Sequence, residues 1–153
     1  MAINTAAVGS PQLLRELALR FGSQAVVLSV EAKRVSDDKW DVFTDNGRER
    51  TGLDVKDWIL QALELGIGEI LLTSIDREGT RKGLDMPLLE MVTAISTVPV
   101  IASGGVGSMS DIEQAYCKAG ADAVALADII HYNRFELKEI KRLALSMKLP
   151  VRE

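Results

Sequence analysis

The sequence predicts an α/β fold built on a parallel sheet, and three observations support this prediction. Four short apolar runs, at 25–30, 69–75, 98–105 and 123–130, show little alternation, as strands buried on both faces do. Segments with the 3.6-residue period of amphipathic helices separate them, and strands that alternate with helices form parallel sheets. The length of 153 residues accommodates four to five such βα units in one domain.

The chain is expected to open with a strand stub at Ala2–Ile3 and a helix at 11–22. This helix has Ser10 as its N-cap, Pro11 at its first position and Gly22 after its last turn. The later helices, which begin at comparable polar positions, are predicted at 54–66, 85–95, 108–120 and 134–147.

An insert at 39–51 lies between the first complete strand and the next helix. Its centre, Asp45-Asn46-Gly47, favours a tight turn, and apolar and polar residues alternate before it. We therefore expect a β-hairpin insert within a single domain that spans 1–153, without a linker or low-complexity tract.

Composition limits the classes of partner and compartment. Apolar residues make up 47% of the chain and charged residues 26%, with a net charge of −4, which argues against nucleic acid or an anionic membrane as the main partner. The lone cysteine, Cys117, excludes an internal disulfide and fits a reducing compartment. The N-terminal residues lack a basic leader followed by an apolar segment, so we expect a cytoplasmic protein.

The segment 98–108, VPVIASGGVGS, places three glycines directly after a predicted strand. Two architectures accept such units, an open doubly wound sheet and part of a (β/α)₈ barrel, and both bind ligands at the carboxyl ends of their strands. Gly104 and Gly105 precede a helix start, where backbone N–H groups favour an anion. A tight turn without a ligand is the alternative, but Gly79 one unit earlier and Ala127 one unit later favour phosphate binding.

Five segments carry a resemblance to a known family: INTAAV, AVVLSVEAKR, NGRERTGLD, GEILLTSIDREGTRKGLD and PVIASGGVGSMSD. In this order they resemble the cyclase subunit of imidazole glycerol phosphate synthase (HisF-like) and its close paralogues. The resemblance covers nearly the whole chain, but only the C-terminal half of the family's barrel. It implies half of a TIM barrel, completed by homodimerisation or by a complementary N-terminal half-barrel.

The resemblance implies a lyase of histidine biosynthesis. The family accepts ammonia from a glutaminase subunit and closes the imidazole ring of a bis-phosphorylated ribulosyl carboxamide. The products are imidazole glycerol phosphate and an aminoimidazole carboxamide ribotide. Two alternatives stay open: an ammonia-channelling paralogue for sugar amidation, favoured by the divergent tail IIHYNRFELKEIK, and a catalytically silent phosphate-binding half-barrel that only assembles.

The chemistry is expected to need neither metal nor cofactor, because the C-x-x-C, H-E-x-x-H and G-x-G-x-x-G patterns are all absent from the sequence. The candidate site residues come from the glycine-rich segment and from the positions that match the family. For one substrate phosphate they are Gly79, Gly104, Gly105, Val106, Ala127 and Asp128. Asn4 and Thr5 match positions that help to hold the other phosphate, Thr73, Asp76 and Ser103 match the substrate channel, and Glu69 matches a charged gate for ammonia.

Two positions depart from the family pattern. The family uses two aspartates as general acid and base, one from each half-barrel, and the second corresponds here to Glu31. Glu31 is the candidate catalytic residue; it reaches one methylene further, and a misplacement of ~1 Å can cost on the order of 100-fold in rate. Asp128 stands where the family usually has serine, and a carboxylate beside a phosphate is repulsive unless it points away or a cation intervenes.

Overall fold

The computed structural model describes residues 1–149 and 151. Its strands are β1 (Ala2–Ile3), β2 (Val27–Ser36), β3 (Lys39–Thr44), β4 (Glu49–Asp54), β5 (Glu69–Ser74), β6 (Val100–Ser103) and β7 (Ala123–Val124). Its α-helices are α1 (Thr5–Gly9), α2 (Gln12–Phe21), α3 (Val55–Glu64), α4 (Met86–Ile95), α5 (Met109–Cys117), α6 (Asp128–His131) and α7 (Leu137–Ser146). A 3₁₀ turn at Ser23–Ala25 precedes β2.

The seven strands within residues 1–149 and 151 form one sheet, in the order β4-β3-β2-β5-β6-β7, with β1 also paired to β2. The pairs β1–β2, β2–β5, β5–β6 and β6–β7 are parallel. These five strands lie in chain order without the reversal of a doubly wound sheet, as in a segment of a (β/α)₈ barrel. Within the described residues the sheet does not close, since β7 pairs with β6 alone. The predicted parallel α/β fold of a partial barrel is confirmed.

The two faces of the parallel strands differ in burial. Leu28, Val30, Ile70 and Leu72 are buried in one hydrophobic core that includes residues of α3 and α4. The alternate residues point to the other side, which we call the open face. Its members in β2, β5 and β6 are partly exposed: Val27, Ser29, Glu31, Glu69, Leu71, Thr73, Ile101 and Ser103.

The hairpin expected at 39–51 consists of β3 and β4, which pair antiparallel. Asp45, Asn46 and Gly47 in its turn have φ angles of 50°, 56° and 76°, the left-handed conformation that these residue types tolerate best. β2 runs to Ser36, beyond the predicted strand end, because its second half pairs with β3.

The structure corrects three details at element ends. The strand predicted at 123–130 is wrong after Val124, and Asp128–His131 is helical. A short apolar run fits either conformation, and β7 has a single neighbour to hold it in the sheet. The short helix α1 was not predicted, and Pro11 rather than Ser10 is the N-cap of α2, with no side-chain capping bond.

Of the helices that the structure describes, none is both long and apolar enough to cross a lipid bilayer.

Asp85 links the hairpin to the helical layer. This buried carboxylate accepts a hydrogen bond from Trp40 Nε1 at 3.0 Å and one from the Leu88 amide, at the start of α4, at 3.4 Å. The guanidinium of Arg34, on β2, lies 3.6 Å from the same side chain. Asp85 therefore accepts the hydrogen bond of the Trp40 indole, caps α4 and neutralises the charge of Arg34.

We predict that Asp85→Ala lowers the free energy of unfolding by about 3 kcal/mol, because a buried indole N–H loses its acceptor and α4 loses its cap. Urea unfolding followed by far-UV circular dichroism measures this loss. Asp54→Ala is the control, since Asp54 caps α3 at an exposed site through the amides of Lys56 and Asp57. It is expected to cost about 1 kcal/mol, and equal losses for the two variants would contradict the prediction.

Candidate active site

A cavity of about 110 Å³ lies at the carboxyl ends of β5, β6 and β7. Residues from three consecutive loops, 78–81, 103–106 and 125–128, line it, and we call it the loop cavity. It brings together all six residues predicted for the first phosphate: Gly79, Gly104, Gly105, Val106, Ala127 and Asp128. The parallel arrangement of the strands causes this convergence, because successive loops follow the same edge of the sheet.

Two of the glycines allow a close approach of chain segments. Gly104 and Gly105 have φ angles of 94° and 99°, which side chains rarely adopt. A Cβ on Gly104 would lie 2.7 Å from the carbonyl oxygen of Ser74, and one on Gly105 would collide with the carbonyl of Gly83. These positions therefore require glycine for the geometry of the loop as well as for any ligand.

The backbone amides of the loop cavity are suited to an oxyanion. Within residues 1–149 and 151, the amides of Gly79, Gly105 and Val106 have no acceptor. By contrast, the amides of Gly107 and Ser108 donate to Asp111 Oδ2 at 2.9 and 2.8 Å. The expectation that the start of α5 offers free amides is therefore wrong for these two, and the candidate donors are amides of the preceding loops.

A row of polar side chains, which we call the polar row, adjoins the loop cavity on the open face. Glu31 is paired in register with Thr73, and Thr73 with Ser103, so the three residues form one row across β2, β5 and β6. They line a second cavity of about 380 Å³, together with the hairpin turn at Asn46 and Gly47. Because Ser103 and Glu78 line both cavities, the two cavities adjoin each other.

Glu31 is the residue in this row with acid–base chemistry. Its Oε2 is buried and has no hydrogen-bond partner within the described part of the chain. A carboxylate oxygen without a competing protein partner is available to accept or return a proton of a bound molecule.

Asn4 and Thr5 bind the hairpin rather than either cavity. Asn4 Nδ2 donates to the Phe43 carbonyl at 3.0 Å, and Thr5 Oγ1 accepts from the Asp45 amide at 3.1 Å. Asn4 Oδ1 is buried without a partner in the described residues. The structure thus places the two residues beside the hairpin turn, which lines the same cavity as Glu31.

Asp76 and Glu69 lie apart from the loop cavity. Asp76 Oδ2 accepts a hydrogen bond from the Arg34 amide at 2.8 Å. Asp76 lines a separate groove outside the polar row. Glu69 is on the open face, but at the amino end of β5, where it pairs in register with Val27. The open face connects Glu69 to Thr73 along a single strand.

The sequence did not single out two arginines beside Asp128. Arg134 Nε lies 3.1 Å and Arg81 Nε 3.8 Å from the same oxygen, Asp128 Oδ1. A signal was present, because a carboxylate next to an anion site needs an intervening cation. Arg81 belongs to the DREGTRKG loop that already supplied Gly79.

Across the part of the chain that the structure describes, no group of three or more His, Cys, Asp or Glu side chains could hold a metal ion.

The chain is similar to a known protein family and, among other curated proteins, to a HisF subunit. Residues 1–136 match the model of a family described as "Histidine biosynthesis protein". The chain is 44% identical over 152 residues to the imidazole glycerol phosphate synthase subunit HisF of Streptococcus sanguinis (strain SK36). That alignment covers 99% of this chain and 60% of the relative, so the chain spans less than two thirds of the relative's length.

We predict that Gly79→Ala weakens the binding of inorganic phosphate about tenfold, because the strained backbone turns the Gly79 amide away from the loop cavity. Isothermal titration calorimetry measures the affinity. Gly120→Ala is the matched control: Gly79 and Gly120 have φ angles of 70° and 68°, and neither has an atom within 4 Å of an added Cβ. Equal affinities for the two variants would show that the loop amide contributes nothing.

Proposed function

Because the chain belongs to the histidine biosynthesis protein family, we propose that it is the C-terminal half-barrel of an ammonia-dependent cyclase. The reaction would close the imidazole ring of a bis-phosphorylated ribulosyl carboxamide. The 44% identity to a HisF subunit supports this assignment. The observation that carries it is the polar row of Glu31, Thr73 and Ser103, which adjoins the loop cavity. Three residues that line this cavity have backbone amides without an acceptor in the described part of the chain.

In the proposed mechanism the chain's residues perform two tasks. The amides of Gly79, Gly105 and Val106 hold one phosphate, which fixes the substrate along the open face. Glu31 then acts as one of the two general acid–base groups, and the second group comes from the other half of the barrel. The hydroxyls of Thr73 and Ser103 lie in register with Glu31 and orient the part of the substrate between the phosphate site and Glu31.

The remaining predicted residues are proposed to admit ammonia, to hold the second phosphate or to support the substrate channel. Glu69 is proposed as part of the ammonia gate, supported by its place on the open face at the end opposite to the loop cavity. A glutaminase subunit would supply the ammonia there. Asn4 and Thr5 are proposed to help hold the second phosphate, supported by their position next to the hairpin turn that lines the Glu31 cavity. Asp76 is proposed to support the channel from outside through the Arg34 amide.

We predict that Glu31→Gln lowers the ammonia-supported turnover of the ribulosyl carboxamide by roughly 10²- to 10⁴-fold, the usual contribution of a general acid–base group. Steady-state assays with ammonium salt measure the rate. Glu90→Gln is the control, because Glu90 is an exposed residue of α4. Turnover of Glu31→Gln at the wild-type rate would remove Glu31 from the mechanism.

The open sheet supports a further part of the proposal, that a second set of βα units completes the barrel. Leu71 and Ile101 are partly exposed on the open face. An apolar groove of about 310 Å³ runs beside the free edge of β7, between α5 and α7, and includes the exposed side chains of Tyr116 and Leu137. Unpaired strand edges and uncovered apolar surface favour association. The partner is a second copy of the chain or a complementary N-terminal half-barrel.

We predict that light scattering at micromolar concentration detects a dimer of the chain, or a complex with the complementary half-barrel when both are mixed. Leu71→Asp is expected to abolish this association, because it places a charge on the face to be covered. Leu19→Asp should leave it unchanged, since Leu19 is 83% exposed on α2. A folded wild-type monomer in both experiments would contradict the proposal.

A catalytically silent half-barrel is the second candidate function. It is favoured by the protein bonds that already engage Asn4, Thr5 and Asp76, and by a glutamate where the family has an aspartate. Phosphate binding without turnover in the completed barrel would establish this alternative.

A further inference from the structure

The charged residues of the loop cavity do not favour an anion by themselves. Glu78, Arg81 and Asp128 line it, so one cation stands against two carboxylates. Arg134 adds a second cation next to Asp128. A phosphate that enters would therefore meet a local environment without excess positive charge, and its binding must overcome the repulsion from the two carboxylates.

The two arginines differ in how firmly Asp128 holds them. Arg134 donates its Nε–H to Asp128 Oδ1 at 3.1 Å, and its guanidinium lies over the ring of Tyr132 at 5.4 Å. Arg81 Nε is 3.8 Å from that same oxygen, beyond hydrogen-bond distance. Arg81 is one of the residues that line the loop cavity, whereas Arg134 is not.

We propose that Arg81 is a phosphate-binding side chain, and that Asp128 competes with the phosphate for it as an internal anion. In the free protein Asp128 draws Arg81 toward α6. When a phosphate binds, Arg81 shifts its guanidinium to the phosphate, while Arg134 stays on Asp128 and neutralises it. This inference rests on the proposed function of the loop cavity as a phosphate site.

Burial supports this division of roles. The side chain of Asp128 is 22% exposed, so its charge needs a partner at all times, and Arg134 supplies one when Arg81 leaves. The Arg81 side chain is 47% exposed, which leaves it room to rotate. When Arg81 moves to the phosphate, the Asp128 carboxylate therefore still has the Arg134 guanidinium beside it.

The substrate class that follows is a phosphate monoester, recognised by loop amides and by one guanidinium. Such charge-assisted hydrogen bonds are stronger than neutral ones. Asp128 reduces the affinity by occupying the guanidinium, so phosphate binding is tuned by a residue that need not touch the ligand.

The experiment is a titration of inorganic phosphate into four proteins, measured by isothermal titration calorimetry: wild type, Asp128→Asn, Arg81→Gln and the double variant. Asp128→Asn is expected to bind phosphate about tenfold more tightly, and Arg81→Gln about tenfold more weakly. The Arg81→Gln loss should be larger in the Asp128→Asn background, because Asp128 no longer competes there. A purely structural role of Arg81 would not produce this coupling.

Two controls remove a comparable charge elsewhere. Arg48→Gln changes an exposed hairpin arginine and Asp57→Asn an exposed helix aspartate, and neither residue lines the loop cavity. Both should bind phosphate as the wild type does. Circular dichroism of each variant confirms that it is folded.

The outcomes separate this inference from the proposed function. If phosphate binds but Asp128→Asn or Arg81→Gln has wild-type affinity, the competition is overturned while the phosphate site stands. If neither the wild type nor any folded variant binds phosphate at millimolar concentration, the competition and the proposed phosphate site are both overturned.

Discussion

The parallel register between β2, β5 and β6 is the constraint on which the site depends. Side chains alternate between the two faces of a strand, so a slip of one residue would move Glu31 from the open face into the helical layer. The register instead places Glu31, Thr73 and Ser103 in one row. The loops that follow β5, β6 and β7 begin at a common edge of the sheet, and their residues line a single cavity.

The burial pattern shows how the chain maintains this register. Ile70 and Leu72 are fixed in the core with α3 and α4, while the intervening residues stay partly exposed. Hydrophobic burial on one side of the sheet thus determines which residues remain on the other side. The polar residues of the open face are therefore positioned by the hydrophobic contacts of their neighbours in the strand.

Much of this arrangement could be predicted from the sequence. Uninterrupted apolar runs predicted the strands β5 and β6, and glycines after strands predicted the loops that line the cavity. Residues 123–130 could not be assigned from periodicity alone, because whether that run is strand or helix depends on how many neighbours the strand has. The fate of the Gly107 and Ser108 amides was equally hidden, since it depends on the rotamer of Asp111. The arginines beside Asp128 required a tertiary contact between two βα units.

The hairpin beside Glu31 carries its own spectroscopic label. Trp40, on β3, donates its indole N–H to Asp85, and the Arg34 guanidinium lies 4.7 Å from the centre of its ring. A nearby cation and a hydrogen-bonded carboxylate both act on the indole, so any displacement of β3 alters the electric field at this chromophore. A displacement of β3 relative to Asp85 and Arg34 would therefore change the ultraviolet emission of Trp40, without an attached dye.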